Sequence, residues 1–144
     1  MESNDNGVSA RQISESRRNG TMEKFFGRAG LTVELRIYRT MRRLCRDYGG
    51  GYWNLWSLSN GGFFMDPNFK APMLIFVEGN GFEGELSSES AGIVATLFTL
   101  SELAFELHEK YPLESATISE RFHQLREYVI AGHPDAALIH AAID

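Results

Sequence analysis

Between residues 49 and 86 the chain is interrupted at short intervals by glycine, asparagine and proline, the residues that tight turns require. Asn60-Gly61 and Asn80-Gly81 supply the Asn-Gly pair favoured where both central turn residues need a positive φ, and Asp66-Pro67-Asn68 turns the chain between them. Turns this close together leave room only for short strands that return beside each other. The segments between them predict a four-stranded antiparallel β-meander, with strands at residues 52–58, 63–65, 72–78 and 82–86.

The third of these strands differs from the fourth in its pattern. Residues 72–78 (PMLIFVE) contain a continuous apolar run, whereas residues 82–86 alternate, with Glu83 and Glu85 between apolar or small residues. A continuous apolar run is typical of a strand covered on both faces, and alternation is typical of a strand with one face in water. We therefore expect residues 72–78 to lie at the centre of the sheet, covered on both sides.

Helical periodicity flanks the strand-rich region on both sides. Apolar residues recur at helical spacing in three segments, residues 31–48, 88–111 and 117–131. Thr117 and Glu120 have the spacing of a capping box, and Asp135 is expected to cap a short last helix. Helices grouped on either side of a strand cluster predict a single compact α+β domain, in which the meander packs with about three to four helices.

The first 22 residues differ in composition from the rest of the chain. They are rich in Ser, Asn, Arg and Glu, and their scattered apolar residues are too few to cover a core. We expect residues 1–22 to form a mobile N-terminal arm that becomes ordered only by docking, and residues 23–144 to form a single α+β domain. A chain of 144 residues, 43% hydrophobic and 23% charged, is long enough for one globular domain with its own core.

Charge is distributed unevenly along the chain. Residues 1–77 contain 11 Lys and Arg against 7 Asp and Glu, whereas residues 78–144 contain 3 against 12. This asymmetry fits either a basic surface for nucleic acid or an acidic partner, or pairing between the two halves within the fold. No signal-peptide pattern and no apolar run of about 18 residues is present, so a cytoplasmic protein without membrane association is expected.

Residues that could support catalysis or bind a metal are few and scattered. Cys45 is the single cysteine, and the four histidines show no close metal-ligand spacing. Residues 79–84 (GNGFEG) satisfy GxGxxG, but they lead into an alternating strand rather than a helix, which favours a hairpin turn. His133-Pro134-Asp135 is interpreted as a helix terminator and cap. The sequence thus predicts a protein that is not an enzyme and has no metal, cofactor or small-molecule substrate.

The most informative charged feature is a row of arginines on the first predicted helix, which we name the arginine stripe. At about 100° per residue its five members fall opposite the apolar face of the helix. They are Arg36, Arg39, Arg42, Arg43 and Arg46. Guanidinium groups match phosphates and carboxylates, so the stripe is a candidate contact for nucleic acid or for an acidic protein surface. The alternative is a helix face that is only solvated.

The aromatic strand that follows is the second candidate contact. In residues 52–56 large aromatic groups alternate to both faces of the predicted sheet, which would leave one of Trp53 and Trp56 for a partner. The alternative is that helices cover both faces and bury both indoles. Together with Asn60 of the adjoining turn, the two tryptophans and the arginine stripe form the predicted interaction surface.

Two long segments resemble a known family. Residues 41–53 (MRRLCRDYGGGYW) and 58–65 (LSNGGFFM) look like the central signature of the ArdB and KlcA antirestriction family, with shorter matches at residues 79–85, 91–98, 125–128 and 132–134. The resemblance covers roughly residues 24–144. It implies a compact α+β fold and relief of type I restriction of incoming plasmid or phage DNA, with no cofactor and no established catalytic residue.

The resemblance also implies a partner, namely a type I restriction system or an associated host factor, contacted directly or indirectly. Mimicry of DNA would require a near-continuous anionic surface, which a net charge of -5 and the arginine stripe disfavour. The alternative function is a nucleic-acid-binding module that acts through the basic first helix.

Overall fold

The computed structural model describes Glu2–Ser3 and residues 7–144. Its elements, in chain order, are β1 (Glu2–Ser3), β2 (Ser9–Gln12), α1 (Thr21–Phe26), α2 (Gly30–Leu44), β3 (Asn54–Leu58), β4 (Phe63–Asp66), β5 (Met73–Val77), β6 (Phe82–Leu86), α3 (Ser88–Leu107), α4 (Pro112–Ile130) and α5 (Ala136–Ile143). Short 3-10 turns lie at Glu15–Arg17 and Gly27–Ala29. Helices and antiparallel strands are segregated along the chain, which confirms the α+β class.

The described strands form two separate antiparallel sheets. The larger has the order β1-β2-β3-β4, and the smaller consists of β5 and β6. Both predicted hairpins are present, with Trp56 opposite Phe64 in one and Ile75 opposite Gly84 in the other. The prediction of one four-stranded meander is wrong at the junction of the hairpins, because β4 does not pair with β5 and β2 extends the larger sheet instead.

The chain leaves the larger sheet at the turn that follows β4. Asp66 Oδ1 accepts hydrogen bonds from the backbone N–H of Asn68 (2.8 Å) and from Ser88 Oγ (3.1 Å). Ser88 Oγ in turn accepts one from the backbone N–H of Phe69 (2.9 Å), and Asn68 has a positive φ of 59°. These bonds tie the turn to the start of α3, so β5 is directed away from the free side of β4.

The expectation that β5 is covered on both faces is also wrong. Its buried side consists of Met73, Ile75 and Val77. Leu74 and Phe76, on the other side, are 50% and 48% exposed, and they lie opposite Glu85 and Glu83 of β6. The apolar run therefore forms a strand with one covered face, because the small sheet packs on the helices with one side only.

α3 is the central helix and packs against α2, α4, α5 and β4. Its fully buried face includes Ile93, Val94, Leu97 and Leu100. At Gly92 a Cβ atom would lie 2.3 Å from the carbonyl oxygen of Met65, so glycine allows α3 to approach β4 at backbone distance. Within the described residues α3 is also the one helix that is long and apolar enough to cross a membrane. However, 61% of its apolar 18-residue stretch is buried inside the molecule, as in the core helix of a globular domain.

The helix boundaries differ from the predicted ones at two ends. α2 stops at Leu44, because Cys45 has an extended backbone. α4 starts at Pro112, where the fixed φ of proline suits the first helical turn, so the predicted cap at Thr117 and Glu120 falls inside the helix and is wrong. At α3 the Ser87 hydroxyl accepts a hydrogen bond from the Ser90 N–H (3.1 Å), as expected of a serine cap.

Part of the predicted arm packs against the rest of the chain. β2 pairs with β3, with Ala10 opposite Leu58, and both Val8 and Ala10 are buried. Arg18 donates a hydrogen bond to the carbonyl of Trp53 (2.7 Å). Met1 and residues 4–6 of the arm lie outside the described residues. Residues 8–22 therefore make the kind of docking contacts that were expected to order the arm. The domain boundary at residue 22 and the mobility of the arm stay predictions.

Candidate interaction surface

Two members of the arginine stripe are engaged by α3. Arg36 binds Glu106 through both guanidinium ends, Nη1 to Oε2 at 2.6 Å and Nη2 to Oε1 at 3.1 Å, and Arg43 Nη2 lies 3.3 Å from Glu102 Oε2. The hydrogen bond from Arg36 holds the pKa of Glu106 below its usual range, and the same bond raises the pKa of Arg36. Part of the charge asymmetry is therefore pairing between the two halves of the chain.

The other three members, Arg39, Arg42 and Arg46, have exposed side chains. Within the described part of the chain none of them lies within 4.0 Å of a carboxylate oxygen. The Arg42 guanidinium lies 5.9 Å from the centre of the Tyr48 ring, and Arg46 borders a surface groove of about 420 Å³ beside Phe76. These three arginines are the part of the stripe that is available to a partner.

The two tryptophans have different environments. Trp53, which directly precedes β3, is 2% exposed, and its Nε1 donates a hydrogen bond to the Tyr48 hydroxyl (2.8 Å). Trp56 is half-buried, stacks on Phe64 with ring centroids 5.6 Å apart, and donates from Nε1 to Asp66 Oδ2 (2.8 Å). Burial removes Trp53 from the predicted interaction surface as a contact residue, whereas Trp56 keeps one exposed edge.

Asn60 holds the β3–β4 turn against α4. Its Nδ2 donates to the carbonyl of Gln124 (2.9 Å) and to Glu127 Oε1 (2.7 Å), while its Oδ1 accepts a hydrogen bond from the Gly62 N–H (3.0 Å). Because both ends of the amide are occupied, Asn60 has a positioning role in this structure. Of the predicted interaction residues, Arg39, Arg42 and Arg46 are therefore exposed, whereas Trp53 is buried and Asn60 is held in place by hydrogen bonds.

Sequence reasoning missed a buried carboxylate at the end of that hairpin. Asp66 is 4% exposed and receives hydrogen bonds from Trp56 Nε1, Asn54 Nδ2 (3.4 Å), the Asn68 N–H and Ser88 Oγ. These four donors fix the position of the carboxyl group between β3, the turn after β4 and the start of α3. The Asp-Pro-Asn sequence directly after an aromatic strand was the available signal, since Asp commonly accepts from the backbone two residues on.

The His133-Pro134-Asp135 segment does more than end a helix. His133 is 8% exposed; its Nδ1 lies 3.0 Å from the Asp135 N–H, and its Nε2 lies 2.9 Å from Glu89 Oε1. Asp135 Oδ2 accepts a hydrogen bond from the buried Ser90 (2.7 Å), and its side chain makes no cap to α5, so the predicted cap is wrong. The segment therefore fastens the α4–α5 connection to the first turn of α3.

These arrangements stabilise the fold and leave recognition to the outer surface. Within the described residues no three His, Cys, Asp or Glu side chains form a group able to hold a metal ion, and every buried side-chain nitrogen or oxygen has a hydrogen-bond partner. Cys45 is a buried free thiol. On the outer surface, Arg46 and the half-exposed Phe76 of β5 border the same groove.

Comparison with known proteins gives a consistent result. A family model described as antirestriction protein matches residues 46–144. An antirestriction protein KlcA of Escherichia coli is 42% identical over 145 residues, covering 100% of both chains. A second antirestriction protein KlcA of Escherichia coli is 39% identical over 140 residues, which is 95% of this chain and 94% of that one. The similarity therefore extends into the first 23 residues, which sequence inspection had left unmatched.

A solved structure has the same fold. It superposes with a TM-score of 0.88 at 43% sequence identity and covers 100% of both chains. It comes from work on the KlcA and ArdB proteins, which are described as having a novel fold and antirestriction activity against type I DNA restriction systems in vivo but not in vitro.

Proposed function

Because the chain belongs to the antirestriction protein family, we propose that it relieves type I restriction and so protects incoming plasmid or phage DNA. The observation that carries the proposal is whole-length similarity, at 43% identity and a TM-score of 0.88, to a structure whose proteins are described as active against type I systems in vivo. With the same fold and 43% identity over the whole of both chains, a shared activity is the most direct inference.

We place this activity in the cytoplasm and attribute it to binding rather than catalysis. The polar groups buried within the described residues are occupied by one another, as the four donors on Asp66 illustrate, which leaves them unsuited to a reaction on a substrate. The partner is a type I restriction system or an associated host factor. Activity in vivo but not in vitro, as described for the KlcA and ArdB proteins, supports an indirect route through a cellular factor.

The contact surface in this proposal is the exposed part of the arginine stripe, with Arg43 at its border. Arg39, Arg42 and Arg46 have no carboxylate oxygen within 4.0 Å among the described residues and suit an acidic protein surface. A nucleic-acid module acting through α2 is not favoured, because the chain is similar to proteins described by antirestriction activity rather than by nucleic-acid binding.

The function is tested by plating unmodified phage on cells with an active type I system, in the presence and absence of this protein. We expect a higher plating efficiency when the protein is present. Cells without the restriction system provide the control for general effects on phage growth. Unchanged plating efficiency across several type I systems would show that the proposed function is wrong.

The surface is tested in the same assay with the triple variant R39Q/R43Q/R46Q. A second triple variant, R28Q/K110Q/R126Q, removes the same charge from exposed positions elsewhere and serves as the matched control. Each exposed charge contributes about 0.5 kcal/mol or less to stability, so both variants should fold. We expect protection of DNA to fall in R39Q/R43Q/R46Q and not in the control. If R39Q/R43Q/R46Q protects DNA as well as the parent does, the arginine stripe is only a solvated helix face.

A further inference from the structure

A second basic region lies away from the arginine stripe, in a cleft of about 370 Å³ between the N-terminal segment and α1. Three cationic side chains reach it from three elements: Arg11 from β2, Arg17 from the 3-10 turn and Lys24 from α1. Among the described residues, no Asp or Glu lines it. We name this region the cationic cleft.

The cations of this cleft differ from those of α2 in how they are compensated. Arg36 and Arg43 each face a glutamate of α3, whereas neither Arg17 nor Lys24 lies within 4.0 Å of a carboxylate oxygen in the described part of the chain. The Lys24 ammonium instead lies 5.7 Å from the centre of the Phe25 ring. The chain has 19 Asp and Glu residues against 14 Lys and Arg, yet none of the acidic residues that the structure describes is among those that line this cleft. Converging cations create a positive potential that attracts an anion.

The neutral lining of the cleft adds hydrogen-bonding groups and an apolar wall. Ser14, Asn19 and Ser57 contribute hydroxyl and amide groups, while Ile13 and Phe25 contribute apolar surface. The Asn19 amide has no hydrogen-bond partner among the described residues. Cations together with neutral donors are the groups that recognise phosphate, and the volume falls in the usual range for small-ligand sites.

We propose that the cationic cleft binds the phosphate groups of a small ligand of nucleotide size, with Arg17 and Lys24 as its principal contacts. A phosphomonoester carries about -1.5 to -2 charges near pH 7, so one phosphate group is enough to balance Arg17 and Lys24. The phosphate chemistry has two possible sources, a free polyphosphate anion or a nucleotide whose base or sugar lies on the Ile13 and Phe25 wall. The inference does not depend on the proposed antirestriction function, and it departs from the expectation of no small-molecule ligand.

The test measures binding of three probes to the full chain at low salt: pyrophosphate, adenosine diphosphate and adenosine. Calorimetry supplies the affinity, and amide chemical shifts locate the site. We expect saturable binding of the phosphate-bearing probes, with the largest shifts in residues 11–24. The double variant R17Q/K24Q should weaken binding about tenfold or more, because it removes two charge-assisted contacts. The control K110Q/R126Q has the same net charge and should bind within about twofold of the parent, since its exposed charges lie outside the cleft.

The arms of this experiment separate the sources of the phosphate. Equal affinities for pyrophosphate and adenosine diphosphate would assign the site to phosphate alone. A higher affinity for adenosine diphosphate than for pyrophosphate would assign it to a nucleotide. The proposal is overturned if adenosine binds as tightly as the phosphate-bearing probes, if no shifts occur along the cleft, or if K110Q/R126Q loses as much affinity as R17Q/K24Q. Circular dichroism of both double variants excludes unfolding as the cause of any loss.

Discussion

The β3–β4 and β5–β6 hairpins are both rich in apolar residues, yet they are covered in different ways. All four residues of β4 are buried, and Phe64 stacks between Trp56 and Tyr128, with ring centroids 5.6 and 6.1 Å away. On β5 burial alternates, and Phe76 is 48% exposed beside Glu83 of the partner strand. The first hairpin is enclosed within the molecule, and the second lies on it as an outer layer.

The difference comes from the neighbours of each hairpin rather than from its own composition. Phe63 of β4 packs against Phe25 and Phe26 of α1, with ring centroids 5.1 and 5.6 Å away. The helices α3 and α4 also pack against this hairpin. The smaller sheet meets α2, α3 and α5, and no element covers its outer face within the described residues. The enclosed hairpin therefore supplies stability, and the outer one supplies surface.

The largest expected effect is at the enclosed hairpin. Replacing Phe64 by Ala removes a fully buried ring that contacts two other rings, and it should lower the free energy of unfolding by about 3 to 5 kcal/mol. Urea unfolding followed by circular dichroism measures the change. A cost below about 1 kcal/mol would mean that the packing around β4 is loose and that the contrast between the hairpins is wrong.

The contact of α3 with β4 gives the second prediction. Alanine normally stabilises a helix relative to glycine by about 1 kcal/mol. In Gly92→Ala the new Cβ would lie 2.3 Å from the Met65 carbonyl oxygen and 2.6 Å from the Asp66 Cα, so helix and strand must separate. We expect a net loss of about 2 to 3 kcal/mol, measured by urea unfolding. A neutral or stabilising result would contradict the backbone contact between α3 and β4.

The third prediction concerns the carboxylate that ends the enclosed hairpin. In Asp66→Asn the amide oxygen can keep the donors at Oδ1, but the amide nitrogen then faces the Trp56 Nε1–H, donor against donor. The expected cost is about 1 to 2 kcal/mol in thermal or urea unfolding. Trp56→Phe removes the opposing donor, so the double variant should be less destabilised than the sum of the single variants. Strict additivity would show that the two side chains do not interact.

The local elements were predictable from the sequence, and the way they assemble was only partly so. Asn-Gly turns and periodicity located both hairpins and the helices α2 to α5, because these signals act over a few residues, whereas β2 and α1 were not predicted. The separation into two sheets depends on Ser88 reaching back to Asp66, a contact between residues 22 apart that no local pattern contains. For the same reason the pairing of Arg36 with Glu106, 70 residues away, was not visible in the arginine stripe.

The last prediction concerns Phe76, which allows the same substitution as Phe64 on the outer hairpin. Its ring is about half exposed, so Phe76→Ala loses only part of the transfer free energy of a phenyl group and leaves no enclosed cavity. We expect a loss of at most about 1 kcal/mol, measured under the same conditions as Phe64→Ala. If the two variants were equally destabilised, the outer face of β5 would have to be covered in solution. A small cost for Phe76→Ala and a large one for Phe64→Ala would show that one hairpin supports the core while the other is free to change at its surface.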